Sequence, residues 1–176
     1  MKKICGMVIA LLLCVLLALT GCGVNSAKVF TYLKTQQNFV GNPSFNGGNY
    51  TVSFTVNDDV SYTLSVSDVK SSNDALKDYS VEGTQMEYLG CREESHESTS
   101  WGITQHWTVY THVIKLPEAT VNSNGTTLTF YLLADSDSKY ADTFNLKLVT
   151  ENSTYDESNI SNIGTSFYSG YALKLA

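Results

Sequence analysis

Binding a catalytic or structural metal takes three or four convergent His, Cys, Asp or Glu ligands. The histidines of this sequence are His96, His106 and His112. His106 and His112 fall on one face of a stretch that alternates like a strand, but six residues of strand hold them about 20 Å apart, so they cannot share an ion. Around His96, the run Glu93-Glu94-Ser95-His96-Glu97 is the densest acidic cluster. It lacks the His-Glu-x-x-His spacing that sets two imidazoles and a base on one helical face, and it reads as a solvated loop. Asp135-Ser136-Asp137 with Asp142 resembles the start of a calcium loop, yet the glycine and terminal glutamate of an EF-hand are missing. An Asx turn accounts for it, and no metal or other cofactor is expected.

Nucleophilic chemistry has no better footing. There is no Gly-x-Ser-x-Gly elbow, and a Cys91 nucleophile would need a histidine within hydrogen-bond reach. Cys91 closes the run Met86-Glu87-Tyr88-Leu89-Gly90-Cys91, which reads as a strand, where a lone cysteine is expected to be a small buried hydrophobe. Glu93 with Glu94, or Asp135 with Asp137, would suit glycoside hydrolysis only if a cleft brought them together. Gly47-Gly48 precedes a strand and not a helix, so it is no phosphate cradle. The remaining candidate is aromatic. Trp101 lies in Ser98-Thr99-Ser100-Trp101-Gly102 beside the acidic cluster, and an exposed Trp or Tyr offers rigid contact area to a protein or a flat sugar face. The plainer alternative takes the tyrosines as strand residues and Trp107 as part of the core. The candidate contact set is Trp101, Glu93, Glu94 and His96.

Short alternating runs broken by Gly, Asn and Asp clusters must position these residues, and that is the grammar of β-structure. In Tyr50–Val56, residues 50, 52, 54 and 56 face one way, and Val60, Tyr62, Leu64 and Val66 repeat the pattern after Asn57-Asp58-Asp59. That predicts a hairpin with one dry face. Gln105–Leu116 and Thr126–Ala134 predict a second hairpin around Asn122-Ser123-Asn124-Gly125, since Asn-Gly tolerates the positive φ of a tight turn. A further strand is expected over Tyr140–Val149, in a hairpin with the strand before it, and a last one over 167–175. Lys28–Val40 suits strand and short helix equally. Residues 71–79 could cap one helical turn, and Thr150–Ser161 is the longest polar loop. The expected fold is all-β, an antiparallel β-sandwich of about seven or eight strands, loosely immunoglobulin-like, because one-sided strands without helices must bury their apolar faces against another sheet.

The first residues supply an address. Met1-Lys2-Lys3 precedes the apolar run Ile4–Leu19, 16 residues, against the roughly 20 that a membrane-crossing helix needs. The run closes on Leu19-Thr20-Gly21-Cys22. This order is that of an export signal, and its last four residues resemble the lipobox of bacterial lipoproteins. The resemblance covers the first 22 residues only. It implies cleavage before Cys22, diacylglycerol on the Cys22 thiol and, in some members, a further acyl chain on the freed amine, which together make a durable anchor. The expected organisation is a signal peptide over 1–21, a lipidated cysteine and short tether over 22–27, and one β-sandwich domain over 28–176. Position 23, where an aspartate usually marks inner-membrane retention in Gram-negative members, is Gly23. The expected location is therefore extracytoplasmic and lipid-anchored, on a cell membrane or an outer membrane.

Loss of Lys2 and Lys3 with the signal would take the net charge from −6 to −8. An acidic surface without a basic footprint excludes nucleic acid as a partner. The membrane, through the N-terminal lipid, and a protein or glycan of the envelope are the expected partners. The leading expectation is a non-enzymatic binding or assembly module. The alternatives are an envelope-directed hydrolase and an accessory structural subunit of an envelope complex.

Overall fold

Apolar side chains at every second position are buried where the alternation is cleanest. The computed structural model describes residues 26–41, 44–45, 48–68, 78–123, 125–152, 160, 163 and 170–176. Among these residues it has one helix, α1 (Ser26–Gln36), and ten strands: β1 (Asn38–Gly41), β2 (Ser44–Phe45), β3 (Gly48–Val56), β4 (Tyr62–Asp68), β5 (Tyr79–Gly83), β6 (Glu87–Ser100), β7 (Ile103–Ser123), β8 (Thr126–Ser136), β9 (Asn145–Asn152) and β10 (Gly170–Leu175). The signal segment, Cys22, residues 71–77 of the helical turn expected over 71–79 and residues 167–169 lie outside the described residues, while Tyr79, the last residue of that expected turn, begins β5.

Every pairing is antiparallel, and one ladder runs β5-β4-β3-β1-β10-β9-β8-β7-β6, with β2 beside β3. The all-β expectation holds. The immunoglobulin-like detail is not confirmed, because the β1–β10 pairing makes the ladder continuous and there are ten strands where seven or eight were expected. Hairpin β3–β4 forms with the expected dry face, Val56 opposite Tyr62, Phe54 opposite Leu64 and Val52 opposite Val66, all six buried, while Val60, read as the first inward residue of the second strand, lies in the turn before β4. Hairpins β7–β8 and β8–β9 both form, but β7 covers Ile103–Ser123 where Gln105–Leu116 was expected, and β9 covers Asn145–Asn152 where Tyr140–Val149 was expected.

The ladder bends so that the inner face of β3 and β4 shares a core with Ile114, Leu116, Phe130, Leu132 and Leu148 from β7, β8 and β9. Each fully buried Leu or Phe contributes about 1.5–3 kcal/mol by leaving water. Tyr79 of β5 stacks on Phe130 of β8 at 5.6 Å, which ties the two layers together. The bend closes where β5 lies against β7. There β7 carries Pro117, which has no N–H to give a ladder, and its register with β8 shifts between Leu116 and Thr120. The shift puts the Glu118 carboxylate beside the other layer, where it accepts from Thr84 Oγ1 at 2.6 Å, from the Thr84 backbone N–H at 3.2 Å and from the Tyr62 hydroxyl at 3.4 Å.

Lys28–Val40, open between strand and helix in the sequence, divides into α1 and β1. Val29 and Leu33, four residues apart on one helix face, are buried in the core. Gln37 ends the helix in the left-handed region at φ 59° and returns its N–H to the Leu33 carbonyl at 2.8 Å. The helix spans one end of the molecule. Its first turn holds the β8–β9 connection, through Lys28 Nζ to Asp142 at 2.6 Å and to the Tyr140 carbonyl at 2.9 Å. Its end meets β3, where the Val56 N–H donates to the Gln37 carbonyl at 2.8 Å.

The middle of β7 and β8 is dry on both faces, and not on one face as the alternation implied. A second cluster of Val113, Tyr131, Leu133 and Val149 lies on the outer face, covered by Ile163 and Ile160. The Arg92 guanidinium donates to the Ile160 carbonyl at 3.1 Å and to the Ile163 carbonyl. Ile160, inside the segment read as a polar loop, and Ile163, just past it, thus supply an apolar cover, and the first residues of that segment, through Asn152, belong to β9.

Candidate functional site

The acidic cluster is a strand and not a loop. Glu93–Glu97 belongs to β6, and each residue has a cross-strand partner on β7: Glu93 with Tyr110, Glu94 with Val109, Ser95 with Thr108, His96 with Trp107 and Glu97 with His106. The physical reason is the partner sequence. Residues 103–110 alternate Thr, Trp and Val in the pattern of a strand, and a tight turn returns the chain at register. β8 joins β7 only from Tyr110 onward, opposite Ser136. Beyond that level, among the described residues, β6 and β7 pair only with each other. They form a two-stranded arm whose tip, Trp101, stands nine residues past Tyr110, about 30 Å at the rise of a strand.

Trp101 and Gly102 make the turn, with φ of 54° and 76°. Positive φ at both central residues is the mark of the type I′ turn, which suits the twist of a hairpin and favours Asn-Gly. The glycine is in place; the residue before it is a tryptophan, 98% exposed. Ile103 is 65% exposed and Trp107 45%. Trp107, read in one alternative as a core residue, is a surface residue of the arm, and its ring stacks on His96 at 5.6 Å and 19°.

Alternation sorts the candidates onto two faces. Arg92, Glu94 and His96 share a face with Trp107 and Val109. Arg92 Nε lies 2.9 Å from Glu94 Oε1, and His96 Nε2 lies 3.7 Å from Glu94 Oε2. Glu93 and Glu97 point to the opposite face, where Glu97 Oε2 is 3.7 Å from His106 Nδ1. The structure therefore brings His96, Glu94 and Trp107 together. It parts Glu93 from Glu94 and leaves Trp101 alone at the tip. Among the described residues no three His, Cys, Asp or Glu side chains converge on a metal position. The aspartates at and beyond the end of β8 are also separated: Asp135 accepts from Thr111 Oγ1 at 2.6 Å, and Asp142 from Lys28.

At the base of the arm Cys91 differs from its sequence reading, and His112 has a burial that its strand face alone did not specify. Cys91 is half-buried and not a core residue, with its thiol 3.6 Å from the Arg92 carbonyl; it faces the same way as His112 but on the edge strand. His112 is wholly buried. Its Nδ1 shares a 2.9 Å hydrogen bond with the Tyr88 hydroxyl, and Phe144 meets its ring edge to face at 5.5 Å. Burial pulls its pKa down to about 4, because a charged imidazole would lose its hydration there. A shallow groove of about 270 Å³ runs along α1 beside Thr31, Tyr32 and Thr35, and its charged groups, Lys28 and Asp142, are already paired with each other.

No family model matches the chain, and no curated protein or solved structure matches it either.

Sequence reasoning missed the arm itself, together with Ile103 and Trp107 as its exposed apolar residues. A signal was present: from Ser98 to Ile114 the chain holds no Asp, Glu, Lys or Arg.

Proposed function

We propose that the chain is a lipid-anchored, extracytoplasmic binding module of the cell envelope, held by acyl chains on Cys22, whose contact element is the β6–β7 arm. The observation that carries this reading is the tip. A tryptophan held almost wholly in water, at a left-handed turn position that costs a non-glycine residue about 1 kcal/mol, adds nothing to folding that Asn would not add more cheaply. Its large, rigid, amphipathic surface is the kind that makes contacts at low entropy cost. The lipobox-like Leu19-Thr20-Gly21-Cys22 supports the anchor.

Photo-crosslinking from position 101 in cells tests the contact role. Adducts that form at 101 and not at Tyr79, a half-buried residue of β5, are expected; equal labelling at both positions, or none at 101, sinks the arm as contact element. The anchor is tested separately by labelled palmitate, which should enter the parent chain and not the Cys22→Ser variant.

A further inference from the structure

We infer that the tip of the arm, Trp101 with Ile103 and Trp107, enters the headgroup region of the same lipid surface that holds Cys22, so that the chain meets the membrane at two points. This rests on the anchor proposed above and names the partner of the arm.

The first argument is reach. Helix α1 begins at Ser26 and its first turn is tied by Lys28 to Tyr140 and Asp142. Those residues follow Ser136, the β8 residue opposite Tyr110, where the arm departs. The start of the helix and the root of the arm therefore share one end of the molecule. Four residue steps separate Cys22 from Ser26, and no conformation of them spans more than about 14 Å. A lipid-bearing Cys22 keeps that end against the bilayer, while the arm extends about 30 Å from its root. An arm longer than the tether that limits the standoff is long enough to reach the surface with its tip.

The second argument is chemistry. A membrane interface selects Trp, whose ring has an apolar body and an N–H for the wet side, and it rejects ions. The distal arm has that composition. Ser98–Trp107 carries two tryptophans, an isoleucine, Ser, Thr, Gln and one histidine, with no carboxylate, ammonium or guanidinium, and every residue of it is exposed. Of the acidic side chains, Glu93 and Glu94 lie rootward of Trp107, while Glu97, opposite His106, is turned to the other face of the arm and lies 3.7 Å from His106. A protein-binding hairpin faces no such exclusion of charge, and a glycan site would present its aromatic rings over a concave or flat platform, whereas Trp101 stands at a point.

Trp101 and Trp107 are the two tryptophans of the sequence, so intrinsic fluorescence reports on the arm directly. The full chain, processed by a bacterial host and confirmed by mass to carry acyl chains, is reconstituted into phosphatidylcholine vesicles, with the Trp107→Phe variant to isolate Trp101. Emission should shift to shorter wavelength than in detergent-free solution of the Cys22→Ser chain. It should be quenched by lipid brominated near the glycerol more than by lipid brominated deep in the acyl chain, since an interfacial group sits about 5–10 Å into the boundary. Acylated, vesicle-bound protein whose Trp101 emission is neither shifted nor quenched overturns the inference and leaves the anchor standing. A chain without acyl groups whose Trp101 is still quenched by added vesicles overturns the anchor and upholds the tip. Crosslinks from position 101 that consist of protein alone, with no lipid adduct, also overturn the inference.

Discussion

At the residue scale, His112 and Gly83 show how a buried position makes one side chain indispensable. The neutral imidazole of His112 belongs to the folded state, since burial holds its pKa at about 4 against 6.5 for an ordinary histidine. The unfolded chain therefore takes up the proton first as pH falls. The His112 contribution to stability is complete above pH 6.5 and is lost progressively as the pH drops toward 4. Urea midpoints across that window should fall for the parent, and the fall should be shallower in His112→Gln; equal slopes would refute the assignment. Gly83 lies opposite Tyr62 on β4, and a Cβ there would stand 2.1 Å from ring carbons of Tyr62. Tyr62 is itself buried, so the ring has nowhere to go. Gly83→Ala should cost at least about 1–3 kcal/mol by overpacking, read as a lowered urea midpoint with unchanged slope. Neither residue was legible in the sequence, because a lone histidine in an alternating run and a glycine before a turn look the same whether buried or exposed.

At the scale of elements, strand existence was legible and strand length was not. Alternation over Tyr50–Val66 named both strands and faces of β3–β4, and the Asn-Gly turn placed β7–β8. The arm escaped because Glu93–Glu97 is dense in charge, and charge density suggests a loop when pairing partners are unknown; thirteen pairs with β7, from Glu87 to Ser100, outweigh it. The turn predicts its own behaviour. Trp101→Asn restores the residue pair that type I′ turns favour, so the thermal midpoint should hold or rise, within about 1 kcal/mol of added stability, while crosslinking or vesicle contact at the tip is lost. A large loss of stability would mean that Trp101 holds the arm together and is not a contact residue. Helix α1 differs: its Val29 and Leu33 are buried, and Leu33→Ala should cost about 2–5 kcal/mol, measurable by urea unfolding.

At the scale of the whole molecule, the continuous ladder closes by a polar latch. Glu118 joins Thr84 and Tyr62 across the two layers, and the hydrogen bond from Thr84 holds its carboxyl below the usual range. The same carboxylate, after burial, pushes the Tyr62 hydroxyl up. Because Glu118 is exposed, Glu118→Ala should cost only about 1 kcal/mol, and the loss should appear above the carboxylate range and vanish as acid protonates the parent. By itself the sequence determined the β-class, the β3–β4 and β7–β8 hairpins, the acidic balance and a lipobox-like start, since each follows from local period, turn chemistry or composition. Tertiary structure alone decided that one end of the molecule gathers helix α1, the β8–β9 connection and the root of the arm, that the middle of β7 is dry on both faces, and that Trp107 is outside while His112 is inside. These outcomes depend on which strands become neighbours across long stretches of chain, and alternation states only that a side chain faces one way or the other, never what lies there.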